Sequence, residues 1–350
     1  MNNKKLDIEI NTPPEGFKAS LRSRIIVGLI LVAIFVPAFI FGGWICFFVF
    51  MAALALILIE VCLAPQKKYG WWVWAFTFIV AFSYVYWFVL KYNIKAYLDN
   101  RDSYVFSLEN HFSSLDISIF GIGFSLLGYF AIALFDKNFT YNDVAYFFLM
   151  TILVGLGIQG FYFIRYYPFN SFGYTNYSDL NINGVTGKDA INTSVFALWT
   201  SAQLEIYVLL GVISNDIFAY FGGVFLGKHK MIERISPKKT WEGFAFGYLG
   251  SVIVTLAFGL GCAFGDSPML PFLDKNHWYW ILALSLFIPL LANLGDLSFS
   301  LIKRHFGIKD YGNILRGHGG VLDRADSSIF AMIGVSIAIV FIANGFNFFL

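Results

Sequence analysis

The sequence predicts an all-α fold: a polytopic integral membrane helical bundle of about nine transmembrane helices with a cytosolic amino terminus. Three observations predict it. Of 350 residues, 58% are hydrophobic and only 13% charged, about half the charge of a water-soluble domain, and the mean hydropathy is +0.68. The apolar residues form unbroken runs of about twenty, with no alternation, which excludes a transmembrane β-barrel and leaves helices as the spanning element. Finally, Lys and Arg divide unequally between the two sides of such a bundle.

Taken in order, the polar segment 1–24 carries Lys4, Lys5, Lys18, Arg22 and Arg24, and the apolar stretch 25–63 has Glu60 as its one charge. As a helix that stretch would be about 58 Å long. It therefore reads as two spans with a turn at Gly42-Gly43, and is too long for the apolar core of a signal peptide. Further spans are expected at 71–90, 117–135, 144–164, 206–226, 243–265, 278–295 and 329–350. The short apolar segment 193–203 reads as an interfacial or re-entrant piece ahead of the 206–226 span. With the amino terminus inside, 18 of the 24 Lys and Arg residues lie in inner loops; the outer six are Lys91, Lys95, Arg101, Arg165, Lys188 and Lys275. The mirror-image topology would invert that bias. Cys46, Cys62 and Cys262 lie in apolar runs without CxxC spacing, so neither a disulfide framework nor a thiolate metal site is implied. The chain thus divides into the segment 1–24, an amino-terminal transmembrane region 25–200 with two long outer loops, and a region 201–350 that holds the motifs.

The first motif is Asn215-Asp216-Ile217-Phe218-Ala219-Tyr220. A carboxylate within a membrane helix is costly unless it meets a cavity, a cation or a base, so Asp216 is a site candidate, with Tyr220 one turn away as a possible hydrogen-bond donor. Ala219, Gly223 and Gly227 recur every fourth residue and allow a close helix neighbour. The basic loop 228–240 follows, ending in Ser236-Pro237-Lys238-Lys239-Thr240-Trp241-Glu242-Gly243. A Ser, a turn fixed by Pro, a Lys pair and a Thr at a helix start suggest a phosphate pocket of amides and ammonium groups.

In the segment 295–304, Asp296, Ser300 and Lys303 fall at i, i+4 and i+7 and share one helix face. The string Arg316-Gly317-His318-Gly319-Gly320-Val321-Leu322-Asp323-Arg324-Ala325-Asp326-Ser327 is a glycine-rich turn entering the last helix, a place where backbone amides close on an anion. Asp216, Asp296 and Asp323 form an oxygen-rich set suited to Mg²⁺ held jointly with substrate phosphates, with room for a second cation. His318 is a candidate phosphate ligand or proton donor, and Asp326 reads equally well as a helix cap.

Together, Ser300-Leu301-Ile302-Lys303-Arg304, Lys309-Asp310-Tyr311-Gly312 and Gly317-His318-Gly319-Gly320-Val321-Leu322-Asp323-Arg324-Ala325-Asp326 resemble the carboxy-terminal signature of the CDP-diacylglycerol synthases, the phosphatidate cytidylyltransferases. The Asn215 and Ser236 motifs resemble two others of that family, in the same order. The resemblance implies transfer of a cytidylyl group from CTP to phosphatidic acid with release of pyrophosphate, a Mg²⁺ requirement, and a site at the cytosolic surface of a bacterial inner membrane. In that reading Asp216, Lys303, Arg304, His318 and Asp323 are catalytic, and Ser236, Lys238, Lys239, Thr240, Ser300, Gly319, Gly320 and Arg324 bind substrate. Lys238, Lys239, Lys303 and Arg304 neutralise phosphate, while Asp216, Asp296 and Asp323 hold metal. The partners are CTP, phosphatidic acid and membrane lipid, with a homodimer left open and no nucleic acid. Two alternatives stand beside it: another membrane transferase acting on lipid phosphates, and an organic-anion transporter. The Ser-Pro-Lys-Lys-Thr string argues against the first, and the lack of paired interrupted helices in two related halves argues against the second.

Overall fold

A computed structural model describes residues 29, 33–38, 43–98, 109–171, 190–265, 267–312, 314 and 319–343. The segment 1–24, His318 and the middles of both outer loops lie outside the described residues. In chain order the elements are α1 (Gly43–Leu63), α2 (Trp71–Leu98), α3 (Glu109–Phe135), α4 (Tyr141–Ser171), α5 (Ala190–Phe225), β1 (Lys230–Ile232), β2 (Ser236–Thr240), α6 (Trp241–Phe264), a 3₁₀ turn (Lys275–His277), α7 (Trp278–His305) and α8 (Leu322–Ala343). The all-α expectation holds, apart from one two-stranded hairpin.

Among the described residues, six helices are long and apolar enough to cross a membrane: Ile45–Leu63, Tyr141–Arg165, Ala202–Phe225, Trp241–Phe264, Lys275–His305 and Leu322–Ala343. Large apolar side chains such as Leu127, Ile253 and Phe264 face outward, at 71%, 67% and 67% exposure. Water would penalise that arrangement and lipid favours it, so the chain is an integral membrane protein.

The helix α4 is central and packs against α1, α2, α3, α5 and α8 through buried Phe147, Met150, Val154 and Ile158. A buried hydroxyl cluster joins three helices: Tyr129 Oη lies 2.9 Å from Thr77 Oγ1 and 2.7 Å from Thr151 Oγ1. Asp143, at the start of α4, accepts from Lys67 Nζ at 2.9 Å, Tyr69 Oη at 2.7 Å and Thr140 Oγ1 at 2.6 Å, which ties the α1–α2 connection to α4.

The most extensive helix pair is α5 with α6. Its close approach rests on the small-residue face expected from Ala219 and Gly223. A Cβ added at Gly247 would stand 2.7 Å from both Ala219 Cβ and the Asn215 carbonyl oxygen, and one at Gly243 would stand 2.9 Å from the Ala219 carbonyl oxygen. Gly247→Val is therefore expected to push α6 away from α5 at a cost of about 1–3 kcal/mol, the usual range for overpacking. A lowered unfolding midpoint in detergent checks this; an unchanged midpoint contradicts the packing.

Three sequence expectations change. The segment 193–203 is not a separate re-entrant piece, because α5 is one helix of 36 residues. At about 54 Å it exceeds the bilayer core. Its polar interruptions are matched from elsewhere in the chain: Gln203 Nε2 donates to Ser267 Oγ, beyond the end of α6, at 3.0 Å, and Glu205 lies 3.9 Å from Arg165 Nε in α4. For the same reason Arg165 is not an outer-loop residue but lies in α4, 1% exposed. Finally, 228–240 is not an irregular loop. There β1 and β2 pair antiparallel, with Lys230 opposite Thr240 and Ile232 opposite Ser236.

Candidate active site

Four elements meet at one end of the bundle. The helix α7 supplies the wall expected from i, i+4, i+7 spacing: Ser300 Oγ donates to Asp296 Oδ1 at 3.3 Å, and Lys303 points from the next turn to α8. The strand β2 supplies Lys239, whose Nζ lies 2.5 Å from Asp296 Oδ2. Successive residues of a strand point to opposite faces. Lys239, half-buried, therefore turns inward while Lys238 is exposed. The two lysines expected to act as a pair are separated by the hairpin.

The helix α5 contributes Asp216, exposed and within electrostatic reach of Asp296, Lys239 and Arg324. Its neighbour Asn215 is 1% exposed and accepts from Asn293 Nδ2 at 2.8 Å, which sets the depth of α5 against α7. Asn215 Nδ2 also donates to Asp216 Oδ1 at 3.4 Å, whereas Tyr220, expected as that partner, points away at 67% exposure.

The helix α8 contributes Asp323, Arg324 and Asp326. Both oxygens of Asp323 are engaged: Oδ1 accepts from Lys303 Nζ at 2.8 Å, and Oδ2 accepts from the backbone N–H of Tyr311 at 2.8 Å and of Gly320 at 3.0 Å. Lys303 also lies 5.5 Å from the centre of the Tyr311 ring. Burial, with Asp323 and Asp326 nearby, pushes the Tyr311 phenol well above its ordinary range. Asp326, buried, lies 3.9 Å from Lys303 Nζ and feels the charges of Asp296 and Asp216. From the sequence Asp326 reads equally well as a helix cap; its spacing of three from Asp323, nearly one helical turn, is the signal that favours the site.

Other expected site residues serve the frame. Thr240 is the buried N-cap of α6, its Oγ1 accepting from the Gly243 N–H at 3.1 Å. Arg304 donates to the carbonyls of Ile235 at 3.2 Å and Ile308 at 3.1 Å, and so fastens the hairpin to the chain leaving α7. Ser236 is half-buried at the start of β2. Gly319 has φ +82°, a backbone conformation glycine adopts freely. The Gly320 N–H, expected to face a substrate phosphate, is held by Asp323. The next two amides are also taken: Glu60 Oε1 accepts from Val321 N–H at 2.9 Å and Oε2 from Leu322 N–H at 2.8 Å. The glycine-rich turn thus closes on two carboxylates of the chain itself.

Among the described residues, no three His, Cys, Asp or Glu side chains form a ready metal-binding group. Among the described residues, Asp216, Asp296, Asp323 and Asp326 nevertheless stand near Lys239, Lys303 and Arg324. Hard oxygen donors with an excess of negative charge fit a cation in kind. Mg²⁺ needs only one or two protein carboxylates when substrate phosphates complete its shell. Asp323, expected as a third ligand, accepts three hydrogen bonds and keeps one lone pair on Oδ1.

A family model described as "Cytidylyltransferase family" matches residues 22–342. The chain is similar to the phosphatidate cytidylyltransferase of Staphylococcus aureus (strain COL), 45% identical over 136 residues, 39% of the chain and 48% of that relative. It thus spans about half the length of the first relatives it matches. It is 32% identical to the phosphatidate cytidylyltransferase of Staphylococcus haemolyticus (strain JCSC1435) over 64% of the chain and 68% of that protein. The protein of that name from Bacillus subtilis (strain 168) is 32% identical over 65% of the chain and 69% of its own length. With the family match extending over both halves of the bundle, and the acids and lysines of all three motifs gathered at one end of it, the chain belongs to the cytidylyltransferase family of the CDP-diacylglycerol synthases.

Proposed function

We propose that the chain transfers the cytidylyl group of CTP to phosphatidic acid, giving CDP-diacylglycerol and pyrophosphate for phospholipid biosynthesis, at the cytosolic face of a bacterial inner membrane. The observation that carries this reading is the meeting of Lys239, Asp296, Ser300, Lys303, Asp323 and Asp326, from three separate stretches of the chain, at one end of apolar helices. A lipid phosphate and a nucleotide triphosphate must be brought together at a membrane surface, and ammonium groups beside carboxylates suit that task.

In this reading an oxygen of the lipid phosphate attacks the α-phosphorus of CTP. The new O–P bond forms as the α–β bridging P–O bond breaks, and its electron pair leaves with pyrophosphate. The nucleophile is already ionised near neutral pH, so positioning and charge stabilisation carry the rate. Lys239 is the ammonium closest to the open face beside Asp216 and would meet the nucleotide phosphates. Lys303, paired with Asp323, orients the start of α8 and lends charge from beneath. One or two of Asp216, Asp296, Asp323 and Asp326, together with the substrate phosphates, would hold Mg²⁺, which when bound supplies the divalent charge that shields the phosphates. Every group named comes from one chain, so a homodimer would hold two complete sites.

Purified protein with CTP, phosphatidic acid and Mg²⁺ is expected to release pyrophosphate only when all three are present. Release without the lipid, or none at all, overturns the assignment. The sidedness follows from nine spans with a cytosolic amino terminus. Cysteines placed at Lys230 and Ile308 should react with an impermeant thiol reagent from the cytosolic side, and one at Asn276 only from the other. Labelling of position 230 from outside would overturn that topology.

A further inference from the structure

We infer that Glu60, in the amino-terminal half of the chain, is a positioning residue for the catalytic turn; the inference rests on the cytidylyltransferase reading. Glu60 is 1% exposed on α1, which is fixed by fully buried Leu54, Leu58 and Val61. Both its oxygens bind backbone N–H groups 261 and 262 residues away, those of Val321 and Leu322 at the start of α8. Two glycines press against the same carboxylate: a Cβ at Gly312 would stand 2.7 Å from Oε1, and one at Gly320 would stand 2.5 Å from Oε2.

Asp323 makes the complementary clamp one residue further along, through the Tyr311 and Gly320 amides. Residues 311–312 and 319–323 therefore rest on two carboxylates, one from each half of the protein. Of the stretch between those supports, which contains Arg316-Gly317-His318 in the sequence, the carboxy-terminal flank is bonded to α1 through Glu60, and the amino-terminal flank is bonded to Asp323 and packs on Glu60 at Gly312. The chemistry of the clamp requires a carboxylate. Here each of two N–H donors at a helix start is met by its own oxygen, and a helix start favours negative charge. A Gln offers one acceptor and one donor, and would set its NH₂ against a backbone N–H.

The test uses the full chain in detergent, with Glu60→Gln and Glu60→Asp, and two measurements: backbone hydrogen exchange, and kcat and KM for both substrates. For Glu60→Gln, exchange over 319–323 should rise on the order of tenfold or more, the loss expected for a charge-assisted hydrogen bond. Exchange in α6 should stay unchanged. The kcat should fall by a similar factor while KM for CTP moves little, and Glu60→Asp, which keeps two oxygens but shortens the reach, should fall between. Wild-type exchange with wild-type kcat would overturn the inference. So would exchange that rises equally throughout the bundle, since that marks a general loss of stability. Should Glu60→Gln not accumulate as folded protein, Glu60→Asp carries the same two outcomes. If the wild type transfers no cytidylyl group, the functional reading fails, and the exchange of 319–323 still decides whether Glu60 holds the turn.

Discussion

Asp296→Asn is expected to insert and fold normally and to lose cytidylyl transfer by at least about a hundredfold, the scale for removing a preorganised charged group from a reacting site. Asp296 is partly exposed, with 30% of its side chain accessible, and its loss leaves no buried charge unpaired. It removes the partner that draws Lys239 inward and one of the acids facing Asp216. Initial rates at limiting and at saturating Mg²⁺, on protein shown to be folded, check this. A folded variant within a few-fold of wild type at limiting Mg²⁺ would remove Asp296 from the site. The hairpin adds an internal comparison: Lys239→Gln should cost far more activity than Lys238→Gln, although the residues are adjacent.

Asp323→Asn is expected to damage stability as well as rate, unlike Asp296→Asn. Lys303 and Asp323 are 10% and 7% exposed at their side chains. Breaking such a buried pair is expected to cost up to about 3–5 kcal/mol, with Asp326, 3.9 Å from Lys303 Nζ, left as the acid facing that ammonium. The Tyr311 and Gly320 amides would also lose a charged acceptor. The unfolding midpoint in detergent should drop clearly. An Asp323→Asn protein that unfolds at the wild-type midpoint would show that the ion pair does not support the turn.

The helical character and the small-residue contact of α5 with α6 were legible because each depends on local pattern: long apolar runs, and Ala219 and Gly223 at a spacing of four. The wall of α7 was legible for the same reason, since Asp296, Ser300 and Lys303 share a face by helix geometry alone. What could not be read depends on contacts between distant segments. The hairpin 230–240 has too few residues for a period of two to register, and only its pairing separates Lys238 from Lys239. The segment 193–203 is apolar but short and looked detached from the following span, yet the backbone continues as one helix, with Gln203 and Glu205 met by Ser267 and Arg165 from distant parts of the chain. The glycine turn looked like an anion cradle, which in kind it is. Its anions are Glu60 and Asp323, and nothing in the local sequence around Gly320 names a carboxylate 260 residues earlier.

The account holds that one site brings the lipid phosphate directly to CTP, by charge and position, without a covalent enzyme intermediate. CTP made chiral at its α-phosphorus with sulfur tests that most directly. A single displacement inverts phosphorus and two restore it, so the CDP-diacylglycerol analogue formed by the purified protein should carry inverted configuration. Retained configuration would contradict direct transfer.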